Sequence, residues 1–173
     1  IFKGILMTSI NYSDFPRAGF RRRMACWMYD FLTSVAVYMV AGLISFCIFM
    51  LFNNLGFIDM GEYEHLIEVQ QNSVLYSGLI YSWNFFWVAF FFVWFWNRSG
   101  QTIGMKAWRL RVQNLDGSLI SKKTGLKRLL PTLIGFGNFA VLFDRKNKLS
   151  LQDRFTQTEV VVLPIEVSRA KNR

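Results

Sequence analysis

Residues 31–52 read FLTSVAVYMVAGLISFCIFMLF, twenty-two consecutive positions without a single ionisable side chain apart from one tyrosine and one cysteine. At 1.5 Å per residue a helix of that length runs about 33 Å, enough to cross a hydrocarbon core of about 30 Å. Residues 75–96, LYSGLIYSWNFFWVAFFFVWFW, form a second stretch free of Asp, Glu, Lys, Arg and His. In a chain of 173 residues too little remains to bury two helices that are apolar all round, which excludes a soluble core for them. Both are read as transmembrane helices, near 24–52 and 74–96. Trp27 and Tyr29 before the first core, and Trp94 and Trp96 at the end of the second, suit the interfacial zone.

Charge orients the pair. The connection 53–73 holds Asp59, Glu62, Glu64, Glu68 and His65 but no Lys or Arg, and so is expected outside. Residues 98–128 carry eight basic side chains against one acid, Asp116, which marks them as cytoplasmic. A third apolar stretch, 129–143, is fifteen residues long and broken by Pro131, Gly135 and Gly137. Seven basic residues follow it, so a full crossing would place a basic tail outside; a re-entrant or interfacial segment is the favoured reading over a third span. Both termini are then cytoplasmic.

Between these segments Trp108, Leu110 and Val112 alternate with Arg109 and Arg111, a period-2 pattern for a half-buried strand. Asp116-Gly117 supplies a hairpin-type turn before Leu119 and Ile120. Residues 159–163, stopped by Pro164, are a second β-prone run. The expected architecture is an all-α membrane protein: two transmembrane helices, a short re-entrant or third membrane segment, and a small cytoplasmic β-hairpin or sheet. It divides into an N-terminal cytoplasmic segment (1–17), a membrane domain (18–163) and a basic tail (164–173). Arg21, Arg22, Arg109 and Arg111 are expected at the membrane surface, facing phosphates.

The formal net charge of +9 accompanies no nucleic-acid-binding motif, and the basic residues lie beside the apolar runs, so anionic headgroups are the expected partner and nucleic acid is not. Cys26 and Cys47 on one helix stand about 30 Å apart and cannot bond to each other. The arginines before residue 31 mimic a signal peptide, but the apolar run is long for one and no small-residue cleavage site follows it, giving an uncleaved anchor. No metal-ligand spacing, nucleophile elbow or paired cleft carboxylates occur, and 100–106 lacks the spacing of a phosphate loop. No cofactor, metal or catalytic residue is therefore expected, and His65 in its acidic loop reads as polar surface.

Three groups of residues carry a family likeness. Ala18-Gly19-Phe20-Arg21-Arg22-Arg23 is followed by Asp30; Gly100-Gln101-Thr102-Ile103-Gly104-Met105-Lys106 is followed by Leu110-Arg111-Val112; Ser150-Leu151-Gln152-Asp153-Arg154 is followed by Thr158. In this order they resemble the RDD family of bacterial inner-membrane proteins, named for one arginine and two aspartates. The resemblance assigns the arginine to Arg23, with Arg22 the alternative register, and the aspartates to Asp30 and Asp153. Arg21 departs from the aromatic residue usual after Gly-Phe, and Cys26 from the usual alanine.

Seven helical residues turn through about 700°, so Arg23 and Asp30 share a face about 10 Å apart along the axis. Asp30, just inside the interface, needs water, a proton or a cation, and Lys106, Lys127 and Arg128 are the candidate partners. Two roles remain open for it: a proton or cation site at the inner end of a pathway, or a polar contact holding the sheet against the helices. Cys26 between them is small enough for another backbone to approach. Ser150-Leu151-Gln152-Asp153 has capping-box spacing, with an arginine contact as the second role for Asp153.

The resemblance implies transport or ion homeostasis, which two spans could support only as a homo-oligomer or with a membrane protein partner. The alternative is a non-enzymatic scaffold or assembly protein that recruits a partner to the inner leaflet.

Overall fold

A computed structural model describes residues 11–144 and 146–171 of the chain. The expected N-terminal segment is therefore seen only from residue 11, and residues 172–173 of the tail fall outside it. In chain order the helices and strands are α1 (Phe20–Asn54), α2 (Leu66–Asn72), α3 (Val74–Ser99), α4 (Ile103–Ala107), β1 (Leu110–Asn114) and α5 (Lys122–Ile134). They continue with α6 (Ala140–Phe143), α7 (Leu151–Thr156), β2 (Thr158–Val162) and α8 (Ile165–Lys171). Short 3-10 turns occupy Tyr12–Asp14 and Phe136–Phe139. The chain is mostly helical, with two helices long and apolar enough to cross a membrane and one small antiparallel sheet.

Two compact units emerge, residues 34–91 and residues 1–33 with 92–173. In the first, the parts of α1 and α3 that carry the apolar runs are joined by the acidic connection. Helix α1 stops where Asn53 and Asn54 meet Gly56, whose φ of 77° closes the turn. The connection is not merely a solvated loop: Ile58 and Val69 pack on Phe49, with Tyr76 edge-on to the Phe49 ring at 5.1 Å. Asn84 is buried in this unit, and its amide lies 3.5 Å from where a side chain on Gly42 would begin. A Cβ at Gly42 would meet Asn84 only in ordinary van der Waals contact. Elsewhere the two runs expose Leu43, Met39, Leu79 and Phe86.

The second unit is built around the sheet. β1 pairs antiparallel with β2, Leu110 opposite Val162 and Asn114 opposite Thr158. Two expectations are corrected here. Asp116-Gly117 does form a turn, with the Ser118 amide donating to the Asp116 side chain at 2.9 Å, but the chain leaves it toward α5, and Leu119 and Ile120 form no strand. β1's partner instead comes from more than forty residues downstream. The strand also starts at Leu110 and not at Trp108, because Arg109 takes a left-handed φ of 56° that breaks the extended run.

Nor is the sheet half-exposed. Leu110, Val112 and Val160 fill one face, while the other carries Arg111, Gln113, Val161 and Glu159, all buried. The N-terminal segment pairs along the edge of β2, where Arg17 forms a β-bridge with Val161 and the Val162 amide donates to the Pro16 carbonyl at 2.9 Å, and its Tyr12 and Arg17 cover the polar face. Tyr12 lies 3.5 Å under the Arg111 guanidinium, and Gln113 donates to both the Tyr12 carbonyl and Glu159. Arg111 is therefore an interior residue stacked on an aromatic ring, not a phosphate-facing one. Alternation gives the face that Arg111 occupies, but Tyr12 supplies a cover that periodicity cannot reveal.

The third apolar stretch is not one element. Its first six residues close α5, which begins at Lys122 under the Ser121 N-cap; the rest forms the Phe136–Phe139 turn and α6. The two parts meet at an angle of 84° at Gly135, which adopts a φ of 79°. Trp27 explains the bend: a Cβ on Gly135 would come within 2.7 Å of its ring, and its indole N–H donates to the Thr132 carbonyl at 3.0 Å. Pro131 sits within α5 without ending it.

Candidate functional site

The buried face of α1's first turns presents Arg23, Cys26 and Asp30, at intervals of three and four residues, to two separate clasps. The first clasp centres on Asp153. Ser150 caps α7, its hydroxyl accepting from the Asp153 amide while the Asp153 carboxylate accepts from the Ser150 amide at 3.1 Å. This is the expected capping box, yet the same carboxylate also meets Arg23 at 2.7 Å and Arg128 at 2.8 Å. Both expected roles of Asp153 thus hold together.

Arg23 uses its whole guanidinium. Nε donates to the Ala18 carbonyl at 2.9 Å, Nη1 to Ser150 at 3.3 Å and Nη2 to the Lys148 carbonyl at 3.0 Å. Arg128 donates in addition to the hydroxyls of Thr156 and Thr158. Burial pushes the Asp153 carboxyl up, but the charges of Arg23 and Arg128, with the Arg128 and Ser150 hydrogen bonds, outweigh it and hold the group below the usual carboxylate range. Arg23 is buried where Arg22 is only half-buried and Arg21 is exposed, so of the three arginines it is Arg23 that turns into the clasp.

The second clasp centres on Asp30. Its Oδ2 accepts from the Thr102 hydroxyl at 2.6 Å and from the Cys26 thiol at 3.4 Å, and its Oδ1 accepts from the Gly104 amide at 2.9 Å. Thr102 is at the same time the N-cap of α4, accepting from the Met105 amide. Gly104 is required by the close approach: a Cβ there would lie 2.6 Å from the Cys26 carbonyl oxygen and 2.8 Å from Asp30 Oδ1. The expected backbone approach at Cys26 is therefore that of Gly104. The same crowding governs Gly100, which ends α3 with a φ of 71° and sits 2.8 Å, at its would-be Cβ, from the Val112 carbonyl.

Of the three cations expected beside Asp30, Arg128 pairs with Asp153, Lys106 lies 5.8 Å over the Phe95 ring, and Lys127 is exposed on α5. Arg109 is half-buried, and its carbonyl accepts from the Leu163 amide, extending the sheet by one bond. Thr102, Gly104 and Ser150's link to Arg23 were not singled out as contacts from the sequence, although Thr102 directly before a short helix is a readable N-cap. The Arg128–Asp153 pair has no local signal, the two being 25 residues apart on different helices. No group of three or more His, Cys, Asp or Glu placed to hold a metal occurs among the described residues.

These features define a class: a helical protein with two helices fit to cross a bilayer and a charge-clasped unit containing a two-stranded sheet. The chain matches the RDD family over residues 17–157 and belongs to it. No curated protein and no solved structure matches the chain.

Proposed function

We propose that this is a non-enzymatic protein of the bacterial inner membrane, with both termini cytoplasmic, that works as a scaffold: its two spans anchor a rigid cytoplasmic unit that meets anionic headgroups and a protein partner, either a second copy or another membrane protein. The observation that carries the reading is the engagement of Asp153. A carboxylate that moves ions must exchange them with water, whereas this one is fully buried and shared between two arginines and a helix cap. Asp30 supports the same reading, since both its oxygens receive hydrogen bonds from the protein. The basic stretch 98–128 supports a cytoplasmic position for the clasped unit.

The test separates folding from transport. Arg23→Ala and Asp153→Asn are expected to lower the amount of protein in the membrane fraction, and purified protein in proteoliposomes to pass no proton or cation current dependent on Asp30. Normal abundance together with a flux abolished by Asp30→Asn would overturn the scaffold in favour of an oligomeric transporter. Resistance to carbonate washing, and access to a C-terminal tag only after permeabilisation, check the placement.

A further inference from the structure

Beside the Asp153 clasp lies a polar cleft of about 310 Å³, lined by Ser13, Arg17, Lys146, Asn147, Lys148 and Glu159. Three cations face one carboxylate there, a net charge of +2. We propose that this cleft binds the phosphodiester of an anionic lipid, an inference that rests on the membrane placement given above.

Backbone hydrogen bonds brace the cleft. Arg23 donates to the Lys148 carbonyl at 3.0 Å and Arg17 to the Asn147 carbonyl at 3.3 Å. The Asn147 amide in turn donates to Asp144 at 3.0 Å, and Lys148 holds a left-handed φ of 54°. The lysine-bearing turn is thus pinned from both sides by arginines, which reduces the ordering cost of binding. Glu159 anchors Arg17 at 2.7 Å and is itself fixed by Gln113, so the guanidinium is presented in one orientation.

What favours a lipid over a free phosphate is the exposed aromatic character of the segment that precedes the turn in the chain. Phe136 and Phe143 are 73% and 89% exposed, and Phe143 directly precedes Asp144 at the start of the cationic turn. A cationic segment that follows an exposed aromatic one in the chain suits an amphiphile whose head is anionic and whose tails are hydrocarbon. A free phosphate would use the cations alone.

The full chain, purified in detergent, is titrated with phosphatidylglycerol, phosphatidylcholine or inorganic phosphate, and bound molecules are counted by native mass spectrometry. Each cation near an anionic headgroup contributes about fivefold in affinity, so Lys146→Gln/Lys148→Gln should weaken phosphatidylglycerol binding on the order of 25-fold. Lys122→Gln/Lys123→Gln, the same change of charge on exposed residues outside the cleft, should weaken it far less, and phosphatidylcholine should bind poorly to all three proteins. Equal losses in the two double variants would overturn the cleft as the site. Displacement of the lipid by millimolar inorganic phosphate would overturn the lipid as the ligand. Release of the chain by carbonate washing would sink the membrane placement on its own, a separate readout from the titration.

Discussion

Replacing Asp153 by asparagine keeps the size of the side chain and an oxygen able to serve the Ser150 amide, but removes the negative charge that Arg23 and Arg128 share. The new amide would also point N–H groups toward a guanidinium that can only donate. Were Asp153 only a helix cap, its loss would cost about 1 kcal/mol. With two buried arginines left without a counter-charge, the expected cost is about 3–5 kcal/mol. For a chain of this size that corresponds to a fall on the order of 10 °C in the unfolding midpoint, read as loss of the monodisperse peak of detergent-solubilised protein after heating. Ser150→Ala serves as the comparison, since it removes the cap hydroxyl but not the ion pairs. If Asp153→Asn lowers the midpoint by no more than Ser150→Ala does, the arginine pairs contribute nothing beyond capping, and the clasp does not hold this unit together.

Acid should act through the same group: because the folded value of Asp153 is depressed below the unfolded value of about 3.9, its stabilisation is complete above that pH and is lost as pH falls through the lower folded value. The unfolding midpoint should accordingly be flat down to about pH 5 and drop below about pH 4, with a smaller drop in Asp153→Asn. Gly104→Ala should destabilise by about 1–3 kcal/mol, since the added carbon meets the Cys26 backbone at 2.6 Å, and a variant as stable as the parent would contradict that contact. Gly78→Ala, with nothing within 4 Å, should leave the midpoint unchanged or raise it by the equivalent of about 0.5–1 kcal/mol. Thr102→Val should cost about 1–3 kcal/mol by stripping Asp30 of a donor and α4 of its cap, and Thr102→Ser should restore most of that loss in the same heating assay.

The two long helices were legible because length and missing charge suffice to identify them, and neither depends on what the rest of the chain does. The capping box at Ser150 was legible because its residues are three apart. Which arginine turns inward is not legible from composition, since Arg21, Arg22 and Arg23 are chemically equal until the helix face is known; burial at Arg23, Cys26 and Asp30 supplies that face. The sheet was half legible. Alternation marked the strands, but pairing across more than forty residues, and a polar face covered by residues 12–18, are tertiary facts that no local period encodes. For Asp30 the search for a cation followed from the cost of a carboxylate near lipid, and the structure meets that cost partly with a threonine hydroxyl, a thiol and a backbone amide.

Arg23 shows why such an arrangement works as one unit. Its three nitrogens reach Ala18, five residues back, and Lys148, Ser150 and Asp153, more than a hundred residues ahead. A lysine could occupy the charge but not the geometry, because only a planar fork reaches a carboxylate and two carbonyls at once from a fixed helix position. The helix that carries Arg23 is the one whose later turns form the first apolar run. A shift of α1's first turns along or about its axis would therefore pull on the Asp153 cap and on the Lys148 turn together, through one guanidinium and without a hinge. Rigidity of that kind fixes the Lys148 turn and the Asp153 cap relative to the first turns of α1.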